Sequence, residues 1–188
     1  MTTEPISENP AEGTSDVAKS LVVVNTGDGK GKSSAAFGVM LRGLAVEWPI
    51  AVVQFIKSGE WNVGEEKMGR KLGVDWFNEG DGFTWNSEDI EADKVLAQKG
   101  WEKAAELINA DHHRLVILDE LTYLLNWGWI EPAPVYEAIR NRPEKVNIVV
   151  TGRDAPEGLI EVADTVSEVV KVKHAFDSGI IAKKGIDY

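Results

Sequence analysis

One junction constrains this chain more than any other feature: Leu21-Val22-Val23-Val24, then Thr26-Gly27-Asp28-Gly29-Lys30-Gly31-Lys32-Ser33-Ser34, then helical spacing from Ser33 to Val46. A short β-branched run is the mark of a buried strand. The glycines let the backbone turn its N–H groups inward, and the helix that follows adds unpaired N–H groups and a dipole. Strand, glycine-rich turn and helix make the context a Walker A phosphate loop requires. In that reading the backbone of Gly27, Asp28, Gly29, Lys30, Gly31 and Ser34 cradles phosphates, Lys32 reaches the bridging and terminal phosphates, and the Ser33 hydroxyl is offered to Mg²⁺. The generic pattern G-x-x-x-x-G-K-[ST] is met imperfectly, because Thr26 stands where its first glycine belongs.

Further along, Pro49 to Ile56, Leu115 to Leu118 and Val146 to Val150 read as buried strands, with a short one at Val74–Phe77 and a last one at Thr165 to Val172. Helices are expected over Ser87 to Ala110, with Ser87 as N-cap, over Ala133 to Arg140 and over Pro156 to Val162. Lys57 to Asn86 is rich in glycine and tryptophan, and the tail from Lys173 is irregular. Strands apolar on both faces and alternating with helices mean a sheet covered on both sides. The expected class is α/β: a three-layer α/β/α P-loop NTPase (RecA-like) fold with a mostly parallel sheet. At roughly 150 residues per domain, the 188 residues make one domain. Residues 1–18, polar, acidic and broken by Pro5, Pro10 and Gly13, are expected to be a mobile tail, and 19–188 the domain.

A second motif supports the first. Leu115-Val116-Ile117-Leu118-Asp119-Glu120 is an apolar strand that ends in two carboxylates, the form of a Walker B strand. Ligands of open α/β sheets bind at the carboxyl ends of strands, so the loop and the acidic pair converge there. Asp119 and Glu120 are both candidate Mg²⁺ ligands, and spacing does not decide between them. No N-K-x-D element is present to read guanine, so ATP is the expected nucleotide.

Composition excludes several classes. The chain has no cysteine, which rules out disulfides, thiolate catalysis and Cys-ligated metals. Its formal net charge of −11 disfavours broad binding to nucleic acid or an anionic membrane surface. No apolar run approaches the ~18 residues of a membrane span, and no secretory leader is evident, so the expected location is cytoplasmic.

The remaining motifs narrow the field. Val53-Gln54-Phe55-Ile56-Lys57, Gly82-Phe83-Thr84-Trp85, Leu118-Asp119-Glu120-Leu121-Thr122-Tyr123, Val150-Thr151-Gly152-Arg153, Ala163-Asp164-Thr165-Val166-Ser167-Glu168, Val172-Lys173-His174-Ala175-Phe176-Asp177-Ser178-Gly179 and Lys184-Gly185-Ile186-Asp187-Tyr188 occur in that order. With the phosphate loop, this set resembles the P-loop class of ATP:corrinoid adenosyltransferases over Leu21 to Tyr188. That family also carries Thr at the first glycine of its loop.

The resemblance implies transfer of the 5′-deoxyadenosyl group of ATP to the Co(I) centre of a reduced corrinoid such as cob(I)alamin, with release of tripolyphosphate. Cob(I)alamin is itself a strong nucleophile, so no activated side chain and no general base is needed. Ser33 and Glu120 become the implied metal ligands. Phe83 and Trp85 become the implied rings that fill the lower axial face of the corrinoid, although aromatics at i and i+2 are equally ordinary in a strand. Arg153 is a phosphate or corrinoid contact or a surface ion pair. The resemblance further implies a homodimer and an electron-donating flavoprotein partner. His174 reads as structural or pocket-lining, His112 and His113 as a solvated turn, and Trp61, Trp127 and Trp129 as at least partly buried aromatics. Two other readings share the phosphate loop: a RecA-like ATPase, which releases phosphate without corrinoid, and a nucleotide-gated binding module, which binds ATP without turnover.

Overall fold

The computed structural model describes residues 18–56, 64–78 and 90–187. They form a six-stranded, all-parallel sheet in the order β3-β2-β4-β5-β1-β6. The strands are β1 (Val22–Thr26), β2 (Ile50–Gln54), β3 (Asp75–Asn78), β4 (Leu115–Asp119), β5 (Asn147–Thr151) and β6 (Thr165–Glu168). The helices are α1 (Lys32–Leu44), α2 (Gly64–Lys71), α3 (Ile90–Asn109), α4 (Leu121–Asn126), α5 (Pro132–Arg140) and α6 (Glu157–Glu161). The expected α/β class and parallel sheet are observed. One strand, β5, separates the strand of the phosphate loop from the strand of the acidic pair, which is the RecA-like order.

Alternation along each strand builds two cores. Val22, Val24, Ala51, Val53, Val116, Leu118, Ile148 and Val150 face α3, α4, α5 and α6. Their alternate neighbours Ile50, Val52, Leu115, Ile117 and Val149 face Ala36, Phe37 and Met40 of α1, with Val74 and Trp76 closing that core at the β3 edge. Both faces are dry, which is why the central strands read as unbroken apolar runs rather than as alternating ones. Burial of this kind contributes roughly 25 cal/mol per Å² of apolar surface, so every central strand is anchored from two sides and the ends that carry polar groups are held fixed.

The structure corrects the sequence reading in four places. Helix α2 occupies part of the glycine-rich stretch that carried no helix expectation. Gly69 masks it: a Cβ there would lie 2.8 Å from Trp76 Cε3, so the helix needs a poor helix former at its closest approach to β3. Helix α4 occupies residues that carried no element in the sequence reading, and it follows β4 after the single residue Glu120. Strand β6 ends at Glu168 rather than Val172 and is exposed along its whole length, an edge strand rather than one buried on both faces. His113 is buried, with its Nε2 2.9 Å from Asp75 Oδ2, because the turn before β4 tucks under β2 to reach β3. His112 alone is exposed. The tail 1–17, Ser87, Trp61, Phe83 and Trp85 lie outside the described residues. Among the described residues, no helix is long and apolar enough to cross a membrane.

Candidate active site

The loop between β1 and α1 is shaped by contact with the chain leaving β6. Gly27 has φ 98°, and a Cβ on it would lie 2.6 Å from the Val169 carbonyl oxygen; on Gly29 the same approach would be 2.7 Å. The Gly29 N–H donates to that carbonyl at 2.6 Å. Gly27 and Gly29 are therefore required by packing against residue 169. Contrary to the expected phosphate cradle, the Gly29 N–H is spent on the Val169 carbonyl and neither glycine lines the cleft at the start of α1. Gly31, with φ 123°, makes the final turn into α1. Helix α1 starts without a side-chain cap and has no acidic residue in its first turn. Its leading N–H groups and positive dipole end are thus left for an anion.

Those groups open into a cleft of about 300 Å³ lined by Lys30 to Ser34 from the loop and the start of α1, Gln54 at the end of β2 with Ile56 beyond it, Glu65 of α2, Asp119 at the end of β4 with Glu120 beyond it, and Asp187. Lys32 is buried, and its Nζ donates to the Gly29 carbonyl at 2.8 Å. Burial lowers its pKa, while Glu120, and more weakly Asp28 and Asp119, act in the opposite sense; Arg153 adds to the lowering.

The two carboxylates are not equivalent. Asp119 is buried, and both its oxygens are engaged: Gln54 Nε2 donates to Oδ2 at 2.9 Å and Thr151 Oγ1 donates to Oδ1 at 2.7 Å. Thr151 Oγ1 in turn accepts the Glu120 N–H at 2.9 Å. This relay holds Glu120 in a left-handed conformation, φ 64°, which an ordinary residue adopts only when its surroundings fix it. The Glu120 side chain is carried into the cleft, where its Oε2 is buried without a hydrogen-bond partner. Burial first, then the neighbouring Asp119 charge, push its carboxyl from 4.5 up to about 7, partly offset by Lys32 and Arg153. An orphaned, desolvated carboxylate oxygen beside a serine hydroxyl and a phosphate loop fits a hard divalent cation. Among the described residues, no group of three or more His, Asp or Glu could hold a metal. The arrangement therefore suits an ion that keeps waters and takes substrate phosphates as ligands.

Thr26 explains its own departure from the generic motif. Its hydroxyl accepts the Ala155 N–H at 3.0 Å, tying the start of the phosphate loop to the β5–α6 loop. That second loop carries Arg153, whose Nη1 lies 3.6 Å from Asp28 Oδ1. Helix α4 supports it from below: Thr122 Oγ1 donates to the Arg153 carbonyl at 2.6 Å, and Asn126 Nδ2 donates to the carbonyls of Arg153 and Asp154.

Lys30, Gly31, Lys32, Ser33, Ser34, Asp119 and Glu120 thus share one cleft, while Asp28 and Arg153 form an ion pair at its margin. Tyr123, Trp127 and Trp129 stack as a cluster at the end of α4, with ring centroids 5.3 and 4.7 Å apart in sequence order. Trp129 is partly buried as expected, whereas Trp127, at the C-cap of α4, is exposed. His174 Nδ1 accepts the Phe176 N–H and caps the 3-10 turn Ala175–Ser178, a structural role. Sequence reasoning gave no role to Gln54, Thr151 or Asp187. The first two are polar residues at the carboxyl ends of apolar strands, a signal that points to the site. Asp187 gives no local signal, because only the tertiary fold brings it to Lys30.

Comparison with known proteins adds an independent finding. The model of the family described as ATP:corrinoid adenosyltransferase BtuR/CobO/CobP matches residues 18–188. The chain is 44% identical over 174 residues to the corrinoid adenosyltransferase of Sinorhizobium sp, covering 90% of this chain and 81% of that one. It is 43% identical over 172 residues to the corrinoid adenosyltransferase of Pseudomonas aeruginosa, covering 90% and 84%. With that of Escherichia coli (strain K12) the identity is 38% over 170 residues, covering 90% and 86%.

Proposed function

The chain belongs to the ATP:corrinoid adenosyltransferase family, and from that premise we propose how its cleft carries out the reaction. The observation that carries the reading is that one family match spans the phosphate loop, the acidic strand and the Arg153 loop together. The proposed reaction moves the 5′-deoxyadenosyl group of ATP to the Co(I) centre of a reduced corrinoid. The cobalt electron pair forms a bond to C5′, the C5′–O bond breaks, and its electrons leave with tripolyphosphate. No proton is transferred, so the reaction requires no general base.

The chain has two tasks. The first is to neutralise charge on the departing tripolyphosphate: Lys32, the uncapped N–H groups of α1 and the loop backbone at Lys30 to Ser34 face the cleft in which it would develop. Mg²⁺, held by the Ser33 hydroxyl and the Glu120 carboxylate, would supply further positive charge there. Asp119 then acts by fixing Gln54 and Thr151 rather than by ligating the metal. The second task is to hold C5′ against the cobalt. Phe83 and Trp85 are proposed to fill the lower axial face of the corrinoid, and Arg153 to contact phosphate or corrinoid once released from Asp28. The reading includes a homodimer, an electron-donating flavoprotein and a cytoplasmic location.

The test is anaerobic absorbance spectroscopy with ATP, Mg²⁺ and chemically reduced cobalamin, with analysis of the phosphate product. A light-sensitive alkylcobalamin spectrum and stoichiometric tripolyphosphate are expected. Lys32→Ala is expected to lower the rate at least ~100-fold by removing charge stabilisation. Orthophosphate as the sole product, independent of corrinoid, would mean a hydrolytic ATPase instead. Tight ATP binding with no turnover would mean a binding module.

A further inference from the structure

The turn at 184–187 lies against the phosphate loop instead of trailing away from it. Lys30 Nζ is 2.7 Å from Asp187 Oδ1. The other carboxylate oxygen, Oδ2, accepts the Lys183 N–H at 2.7 Å, and the Asp187 N–H donates to the Lys183 carbonyl at 2.8 Å. The carboxylate is thereby locked to its own turn on one side and to the loop on the other. Its neighbour Ile186 borders an apolar groove of about 330 Å³ with Phe37, Met40 and Leu41 of α1, Met68 of α2 and Leu72 just after it.

This placement has an electrostatic consequence. Asp187 lines the same cleft as Lys32, Ser33 and Glu120, so a fixed negative charge stands where a polyphosphate must enter. Lys30 is one of the two lysines of the loop, and Asp187 neutralises it. A polyphosphate gains the full attraction of Lys30 only if that pair opens, and a like charge close by disfavours the anion while it stays closed.

We propose that Asp187 is a positioning residue that competes with polyphosphate for Lys30. In the nucleotide-free protein it holds the lysine. When polyphosphate arrives, Lys30 changes partner and turn 184–187 lets go of the loop. When the pair forms again, it promotes departure of the polyphosphate product. The inference rests on the phosphate-site reading above and assigns that site a built-in competitor.

The experiment is titration calorimetry of the full chain with inorganic tripolyphosphate, with and without Mg²⁺, together with amide hydrogen exchange. Asp187→Asn is expected to bind tripolyphosphate about three- to tenfold tighter, the scale of an exposed ion pair plus the relief of a like charge. The gain shrinks as salt is raised. In the Lys30→Ala background the same substitution is expected to lose most of its effect. In the wild-type protein the amides of Lys183, Ile186 and Asp187 are expected to lose protection when the anion binds, which a purely structural turn would not do. Equal or weaker binding by Asp187→Asn, or unchanged amide protection, would overturn the proposal. Lys32→Ala separates the two readings: if it binds tripolyphosphate as tightly as wild type, the phosphate site itself is misplaced and the competitor falls with it.

Discussion

The hydroxyl of Thr26 accepts a hydrogen bond from the Ala155 N–H at 3.0 Å. A residue that breaks the generic loop pattern is therefore what joins the phosphate loop to the loop bearing Arg153. Thr26→Val removes the acceptor and leaves a half-buried N–H without a partner, which costs about 1 to 2 kcal/mol. Thr26→Ser keeps the oxygen and is expected to stay near wild type. Urea denaturation of the three proteins checks the stability order. With the loops uncoupled, kcat/KM for ATP is expected to fall on the order of tenfold in Thr26→Val alone. Equal behaviour of Ser and Val at this position would show that the bond does not couple the loops.

Thr151 is a relay, accepting from the Glu120 N–H and donating to Asp119 Oδ1. Thr151→Val preserves shape and breaks both bonds in a fully buried position. The expected cost is about 2 to 3 kcal/mol, since a backbone N–H and a carboxylate oxygen both lose a partner. The effect on the site is more specific: Glu120 is no longer fixed in its left-handed conformation, so the Mg²⁺ concentration needed for half-maximal activity is expected to rise while the KM for corrinoid stays put. Thr151→Ser is expected to retain the Mg²⁺ dependence. Metal titrations of activity at fixed ATP distinguish the cases.

Much of this site was legible in the sequence for a physical reason. Lys32, Ser33 and Glu120 sit at junctions where a buried strand stops, and both the strand and its stop leave a local pattern: β-branched residues, then glycine or carboxylate. Helix α4 and helix α2 were not legible. The former is six residues of mostly apolar character directly after an apolar strand, so no change of period marks the boundary. The latter keeps Gly69 for the sake of Trp76, and that reason lies in another element. Spacing did not separate Asp119 from Glu120, and only the family resemblance favoured Glu120, because the physical difference depends on Thr151 and Gln54, which reach Asp119 from two neighbouring strands. Burial of His113 depends on Asp75 in the same way.

The raised Glu120 carboxyl makes the metal-free protein sensitive to pH. Its folded value of about 7 lies above its ordinary 4.5. Between those two values the folded form holds a proton that the unfolded chain has lost. Stability is therefore lost as pH rises from 4.5 through 7 and levels off above it. Glu120→Gln removes this slope. In chelator, the stability of Glu120→Gln relative to wild type is expected to increase by about 3 kcal/mol from pH 4.5 to pH 8, read from denaturant midpoints across that range. The same substitution is expected to lower transferase activity at least ~100-fold. Parallel stability profiles for the two proteins would show that burial does not raise this carboxyl.

Two glycines test how tightly the β5–α6 loop is packed. Gly152 has φ 138°, and a Cβ on it would overlap Thr122 Oγ1, in a side chain that is itself fully buried and bonded to the Arg153 carbonyl. Gly152→Ala therefore meets both backbone strain and a clash with a side chain that has nowhere to go, at a cost of about 2 to 4 kcal/mol. Gly158 also lacks room, but the obstacle there is the ring of Tyr136, which is only half-buried and can rotate outward. Its position inside α6 favours alanine by up to ~1 kcal/mol, so Gly158→Ala is expected to change stability by less than about 1 kcal/mol in either direction. The double variant Gly152→Ala/Thr122→Ala separates strain from clash. Removing the hydroxyl relieves the overlap, so its instability is expected to be smaller than the sum of the two single effects. Activity is not expected to recover with it, because the hydrogen bond that aims the Arg153 backbone is gone. Strict additivity in the denaturation data would locate the whole cost in the backbone of residue 152 and remove Thr122 from the account.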